Sequence, residues 1–268
     1  MPELPEVETI RRDLEKAILH KTFHCVEVYD PLVLRSPLKD FIQGLEGQSI
    51  KAIVRKGKAL LIQLSNGRYL LVQLMMTGQM VVDAKQDKHT RVVFKFTDDR
   101  RVLYNDQRRF GQLRIIKDPS EVKYFNVLGP EPFDKNFNAL YIFQQTRKSR
   151  RPIKNLLLDH TFVAGLGNIY ACEILFCCRL NPKRSAGRIT RSQAQDIHEK
   201  TVDVLKEAIR YRGSSMRNYR DGSGQKGEFR QRLQVYARGD KPCCVCLSPI
   251  RRITQAGRST FFCPQCQK

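Results

Sequence analysis

Four cysteines near the end of the chain constrain its fold more than any other feature. They stand as Cys243-x2-Cys246-x16-Cys263-x2-Cys266. Two such pairs let two knuckles present four thiolates tetrahedrally to one ion, and four sulfurs close the shell to water. The spacing predicts one structural Zn2+; the alternative is a set of free thiols. Cys244, inside the first knuckle, is a competing ligand, but the Cys243-x2-Cys246 pair has the better spacing. The other cysteines, Cys25, Cys172, Cys177 and Cys178, are scattered among apolar residues. The whole set reads as one metal site plus buried thiols in a reducing compartment, not as a disulfide framework.

With 268 residues, 41% hydrophobic and 28% charged, the chain can bury a real core. Wholesale disorder, collagen and coiled coil are excluded. The 48 Lys+Arg against 27 Asp+Glu give a formal charge of +21. That excess implies a polyanionic partner, nucleic acid first and an anionic membrane surface second. Around the cysteines lie Lys241, Arg251, Arg252, Arg258 and Lys268, with no acid from Lys241 onward. No apolar run reaches the roughly 18 residues a spanning helix needs. The acidic, helix-like opening Met1-Pro2-Glu3-Leu4-Pro5-Glu6 is the wrong chemistry for a signal peptide, so a cytoplasmic, nucleoid-associated location is expected.

Pro5 to Leu19 reads as a helix, with Val7, Ile10, Leu14 and Ile18 on one face. Phe23 to Ile116 reads mostly as strands, including Lys58–Leu64, Tyr69–Leu74, Arg91–Phe96 and Leu113–Ile116. Ser65-Asn66-Gly67 is a hairpin signal and Asp98-Asp99-Arg100 a second turn. Successive short strands suggest a sandwich or barrel. Leu128-Gly129-Pro130-Glu131-Pro132 marks a domain boundary. Helices follow at Pro152–Asp159, Ile169–Cys178 and Thr190–Tyr211, the last opened by the capping box Thr190-Arg191-Ser192-Gln193 and closed by Gly213. Arg217 to Arg232 reads as an exposed loop.

Two further signals bear on chemistry. The basic run Arg147-Lys148-Ser149-Arg150-Arg151-Pro152-Ile153-Lys154 precedes Gly165-Leu166-Gly167-Asn168 in a helix–turn–helix context. Alone, the run is a solvated face. With glycines that admit a close backbone approach and a helix N-terminus behind them, it is a phosphate-binding element. At the other end, removal of the initiator methionine before Pro2 would expose a secondary amine. An α-amino group titrates near about 7.7–8.0, so part of it is an unprotonated nucleophile at neutral pH. Glu3 beside it can move protons.

The opening Pro2-Glu3-Leu4-Pro5-Glu6-Val7-Glu8-Thr9 closely resembles the formamidopyrimidine-DNA glycosylase family of bacterial base-excision repair. The resemblance continues at Arg55-Lys56-Gly57-Lys58, Arg108-Arg109-Phe110-Gly111, Leu128–Pro132, Val163–Ala171, Leu233-Gln234-Val235-Tyr236 and Gly257–Lys268, nearly the whole chain in the family's order. It resembles the sibling endonuclease VIII branch less.

The resemblance implies roles residue by residue. Pro2 is the nucleophile that attacks C1′ of the damaged nucleotide and forms a Schiff base. Glu3 is the proton donor and shuttle, Lys58 a further general acid in β-elimination, and Arg258 a phosphate contact that assists δ-elimination. Chemistry on a base requires it out of the stack, and apolar wedges commonly fill the hole. The family's filling residues match Met76, Arg108 and Phe110, with Arg108 facing the orphaned cytosine; without the resemblance, Met76 and Phe110 read as core and Lys58 as a solvated strand edge. Phosphate contacts map to His89, to Lys148, Ser149, Arg150 and Lys154, and to Asn168. Gln73 and Arg91 stand where the family often has histidines, Ser149 where it has a basic contact, and Ala237 where glycine is usual.

The implied architecture is α+β and multidomain. An N-terminal helix-flanked β-sandwich (1–133) carries catalysis, a helix–two-turn–helix domain (134–228) binds DNA, a zinc-finger module (229–268) ends the chain, and a basic cleft separates the domains. The implied function is removal of 8-oxoguanine opposite cytosine and of formamidopyrimidines from duplex DNA, with β,δ-elimination, by a monomer. Rival readings are a glycosylase for oxidised pyrimidines, a non-catalytic lesion binder and a zinc-ribbon RNA-binding protein.

Overall fold

The computed structural model describes every residue except 217 and 218. Its contacts group the chain into two compact units, Met1–Asn126 with Ala208–Arg230, and Val127–Glu207 with Gln231–Lys268. The sequence led to three consecutive segments instead. The difference lies in residues 208–230, which fold with the N-terminal unit, and in the zinc module, which shares a core with the helices before it.

The first unit opens with α1 (Leu4–Ile18). Val7, Ile10, Leu14 and Ile18 are at most 1% exposed, as the periodicity requires. Two four-stranded antiparallel sheets follow. One has the order β1 (Phe23–Val28), β6 (Thr90–Phe96), β7 (Arg101–Asp106), β5 (Gly78–Val82). The other has the order β2 (Ile50–Lys56), β3 (Ala59–Leu64), β4 (Tyr69–Gln73), β8 (Gln112–Ile116). Ile53, Leu60, Ile62, Leu70 and Val72 from one sheet share a core with Phe23, Val92, Phe94, Val102 and Tyr104 from the other and with α1. That is the expected sandwich. The short α2 (Leu38–Gln43) interrupts the stretch read as strands and buries only Phe41. α3 (Lys123–Asn126) closes this part of the chain.

Residues 219–232 are only in part the exposed loop that composition suggested. Arg217 and Asn218 lie outside the described residues, but Asp221 is fully buried. Asp221 Oδ1 accepts from the backbone N–H of Ser223 (3.0 Å) and Gln225 (2.8 Å), and its Oδ2 takes the Arg212 Nε at 2.6 Å. Arg212 also reaches Asp13 of α1 at 2.6 Å. Buried carboxylates thus satisfy a backbone that composition alone would leave to water.

The second unit contains α4 (Ala139–Arg147), α5 (Ile153–Leu157), α6 (Asn168–Cys177) and most of α7 (Arg191–Arg210). The sequence reading missed α4, because Ile142 and Thr146 are its only buried residues and leave no clear stripe. α6 is buried from Ile169 through Phe176. The expected capping box of α7 is present: Gln193 N–H donates to Thr190 Oγ1 (3.2 Å), and Thr190 N–H to Gln193 Oε1 (3.1 Å). The hairpin of β9 (Arg251–Gln255) and β10 (Arg258–Phe262) ends the chain. No helix among the described residues is long and apolar enough to cross a membrane.

Candidate active site and nucleic-acid interface

In the first unit, Pro2 is buried and Glu3 is 3% exposed as the N-cap of α1. Glu3 and Glu6 form a reciprocal capping box: the Glu3 side chain accepts from the Glu6 N–H, and Glu6 Oε2 takes the Glu3 N–H at 2.8 Å. Two orphan donors at the helix start are satisfied this way, which fixes the backbone that carries Pro2. Glu6 Oε1 accepts in turn from Ser214 N–H at 2.7 Å. The sequence places Glu6 at the positive end of the α1 dipole, but nothing in it foretells the bond to Ser214.

Lys58 is half-buried in the two-residue turn that joins β2 to β3, where Lys56 pairs with Ala59. Gly57 precedes it at φ 59°, the left-handed conformation such a turn demands and glycine adopts freely. Arg55 braces the turn, with Nη1 donating to Gly57 O at 3.0 Å and Nε to Glu8 Oε2 of α1 at 3.3 Å. The helix that presents Pro2 and Glu3 is therefore pinned to the hairpin that presents Lys58. Burial works against the Glu8 charge, but hydrogen bonds from Arg11 and Arg12 and the Arg11 and Arg55 charges outweigh it, so its carboxyl is held below the ordinary range.

Met76, Arg108 and Phe110 come together although more than thirty residues separate the first from the others. The Arg108 guanidinium sits 4.5 Å from the centroid of the Phe110 ring, and its Nη1 lies 3.0 Å from Met76 Sδ. Met76 is 43% and Phe110 48% exposed, so neither is a core residue. Arg109, next to Arg108 in the chain, is at φ 60° and turned away onto Asp30 at 2.7 Å. Arg91 is buried, donating to Asp106 O at 2.9 Å and facing Asp30 at 3.6 Å. His89 is half-buried, and its carbonyl takes the Asp106 N–H at 2.9 Å. Gln73 is a half-buried β4 residue paired with Ala59 and Gln112.

In the second unit, Lys148 and Arg150 are exposed and have no acid partner among the described residues. Ser149 between them is half-buried and accepts from Arg151 N–H at 3.2 Å. Arg151 is paired with Asp159 at 2.8 Å. Lys154 departs from the expectation of one continuous basic surface. It is fully buried, with Nζ 2.6 Å from Asn168 Oδ1 and 2.7 Å from Thr260 Oγ1. The α5 turn directs it inward, where it needs acceptors because a buried ammonium without them is untenable. Asn168, the first residue of α6, donates Nδ2 to Ser259 O at 2.8 Å. Lys154 and Asn168 thus lock α5, α6 and the β9–β10 hairpin together. Arg258 stands exposed at the start of β10, just past the turn formed by Ala256 (φ 47°) and Gly257 (φ 69°).

The cysteines Cys243, Cys246, Cys263 and Cys266 lie with all sulfurs within 4.8 Å of one another. Sulfur separations of 3.9 Å (Cys243–Cys266) and 3.4 Å (Cys246–Cys263) suit the edges of a tetrahedron with Zn–S bonds of about 2.3 Å. Val245 N–H points at Cys243 Sγ and Cys266 N–H at Cys263 Sγ, each at 3.4 Å. Cys244, the competing candidate, is exposed and turned to Gln234 Oε1 at 3.5 Å. The site fits one metal ion held by four sulfurs. Cys172, Phe176, Val235, Ile250 and Phe261 form the core beside it, and Glu173 caps the incoming segment by accepting from the N–H groups of Gln234, Val235 and Tyr236 at 2.8–3.0 Å.

Three family models cover the chain: the formamidopyrimidine-DNA glycosylase N-terminal domain over residues 1–113, its H2TH domain over 128–220, and the zinc finger found in FPG and IleRS over 240–268. The chain belongs to the formamidopyrimidine-DNA glycosylase family. The formamidopyrimidine-DNA glycosylase of Pelotomaculum thermopropionicum is 41% identical over 276 residues, spanning 100% of this chain and 99% of that protein. The Lactococcus lactis Fpg in complex with DNA containing an abasic site superposes with a TM-score of 0.92 at 35% identity, covering 99% of each chain. The same Lactococcus lactis protein with a FAPY-dG containing DNA gives 0.91 at 34%, covering 99% of this chain and 100% of that one. The resemblance read from the motifs, the mixed α+β class and the zinc finger of this glycosylase family therefore stand.

Proposed function

We propose that this protein excises oxidised purines, chiefly 8-oxoguanine opposite cytosine and formamidopyrimidines, from duplex DNA and then nicks the strand. The single observation that carries the reading is the exposed cluster of Met76, Arg108 and Phe110, an apolar and cationic wedge suited to the hole left by an extruded nucleotide. Support for the substrate comes from the Lactococcus lactis relative, solved on abasic-site and on FAPY-dG DNA.

With Met1 in place the Pro2 nitrogen is a tertiary amide and no nucleophile. Once Met1 is removed, its amine attacks C1′, the N–C1′ bond forms, and the glycosidic bond breaks as the base leaves with a proton. Glu3 donates that proton, takes up the one the amine loses as the N–C1′ bond forms, and delivers one to O4′ as the ring opens to the iminium. Loss of the C2′ proton then expels the 3′ phosphate, and a second elimination expels the 5′ phosphate. Lys58 serves as general acid in the first elimination, and Arg258 assists the second from the flanking phosphates. Lys148, Arg150 and Asn168 bind the backbone, with Lys154 acting through Asn168. Zinc, when bound, holds the two knuckles and with them the Arg258 hairpin; four sulfurs leave it no open position, so its role is structural. The setting is cytoplasmic, and the protein acts as a monomer.

The test is incision of a duplex with one 8-oxoguanine opposite cytosine, by protein from which Met1 has been removed and which carries one zinc per chain. The reading expects a one-nucleotide gap with phosphate at both ends. Intact strands here, with cleavage of oxidised-pyrimidine duplexes, would transfer the activity to that lesion class; binding without cleavage of any lesion would make the protein a non-catalytic lesion binder.

A further inference from the structure

The two loops that carry Met76 and the Arg108–Phe110 pair share no strand, yet one buried carboxylate holds both. Asp106, the last residue of β7, is 0% exposed. Its Oδ1 accepts from the Thr77 hydroxyl and from Arg108 N–H at 3.2 Å, and its Oδ2 accepts from Gly111 N–H at 2.7 Å. Thr77 Oγ1 receives Arg108 N–H as well, at 3.0 Å. The Asp106 backbone adds a third loop, through its N–H to His89 O.

The fit around this carboxylate is tight. A Cβ on Gly111 would stand 1.7 Å from the Tyr104 hydroxyl and 2.9 Å from Asp106 Oδ2. The Tyr104 hydroxyl is fully buried and has no hydrogen-bond partner among the described residues. Burial first, and the Asp106 charge second, keep it neutral.

We propose that Asp106, working through Thr77, is a positioning residue for lesion recognition: it sets the loops 74–77 and 107–111 at one height, so that Met76, Arg108 and Phe110 enter the duplex as a single wedge. The inference rests on the wedge assigned above. An anionic acceptor suits this task, because it takes three donors at once and a neutral amide of the same shape cannot.

The experiment compares Asp106→Asn, Thr77→Val and Thr77→Ser. Each binds a duplex carrying a tetrahydrofuran abasic analogue, with 2-aminopurine opposite it as a fluorescent report of displacement. The dissociation constant is read in the same titration, and circular dichroism confirms folding. The wild type is expected to change the fluorescence on binding. Thr77→Val and Asp106→Asn should bind within about three-fold of wild type yet lose most of that change, and Thr77→Ser should keep it. At saturating enzyme, excision of 8-oxoguanine should fall about ten-fold in the first two, the size of one lost hydrogen bond to a charged acceptor. Wild-type fluorescence changes in a folded Thr77→Val protein would overturn the inference, as would affinity and fluorescence falling together. Should Asp106→Asn not fold, Thr77→Val carries the test alone. A fluorescence change without excision of any lesion would instead sink the proposed reaction and leave the wedge standing.

Discussion

Glu6 in the first turn of α1 accepts the backbone N–H of Ser214 at 2.7 Å across 208 residues of sequence. Its other oxygen holds Glu3 N–H, so the element that presents Pro2 is tied to the segment that follows α7. Gly213 lies so close that a Cβ there would stand 2.8 Å from the same carboxylate. The position of the N-terminal amine thus depends on residues far along the chain.

Replacing Glu6 by Gln keeps the shape and removes one acceptor, leaving a buried N–H facing an amide N–H. The expected loss is about 1–3 kcal/mol. Thermal melting should show it as a lowered midpoint. Imine formation should slow by more than DNA affinity falls, because the amine and not the phosphate contacts is displaced.

Lys154→Met removes the donor shared by Asn168 Oδ1 and Thr260 Oγ1. About 1–3 kcal/mol of stability should go with it. DNA affinity should fall although the side chain is fully buried, because Asn168 loses its orientation. Titration against abasic DNA and a thermal melt together check both effects. Unchanged affinity would leave Lys154 a packing residue only.

Ala237 occupies φ 58°, a left-handed conformation that disfavours a Cβ. Ala237→Gly removes a cost of about 1–2 kcal/mol and adds back about 0.5–1 kcal/mol of chain entropy. A net gain near 0.5 kcal/mol and a slightly higher melting midpoint are expected.

The Glu8 carboxyl is held below its ordinary 4.5. A depressed folded-state value stabilises the fold above the unfolded value, and that contribution is lost as pH falls from about 4.5 through the folded value. The wild type should therefore lose melting temperature more steeply than Glu8→Gln between neutral pH and the range below 4.5. Parallel curves would show that the Arg11, Arg12 and Arg55 partners contribute nothing net.

Removing zinc with a chelator should unfold the hairpin that carries Arg258, since structural zinc supplies folding free energy to small modules. The second elimination is expected to fail while an imine at Pro2 still forms. Mass analysis of the ends left on the nicked strand separates the two steps.

Much of this was legible in the sequence because local rules agree with the tertiary solution. The α1 stripe, the Asn66-Gly67 turn, the Thr190–Gln193 box and the cysteine spacing each predict the element that forms. What stayed hidden depends on distant partners. Lys154 looks like one more cation in Lys148–Arg151, and only the fold shows it capped by Asn168 and Thr260. Nothing in the sequence marks Asp221 or Asp106, yet each collects donors from elsewhere in the chain. The contact between Arg108 and Met76 joins two loops distant in sequence and leaves no periodic trace. Arg108 rather than Arg109 was legible only by motif, and the pull of Asp30 on Arg109 supplies the reason.

Borohydride trapping on a duplex with one 8-oxoguanine opposite cytosine tests the central claim most directly. Reduction locks an imine into a covalent protein–DNA adduct, and peptide mapping locates it. The account predicts an adduct on the Pro2 nitrogen of protein that has lost Met1. An adduct on a lysine, or none from zinc-loaded protein lacking Met1, would contradict it.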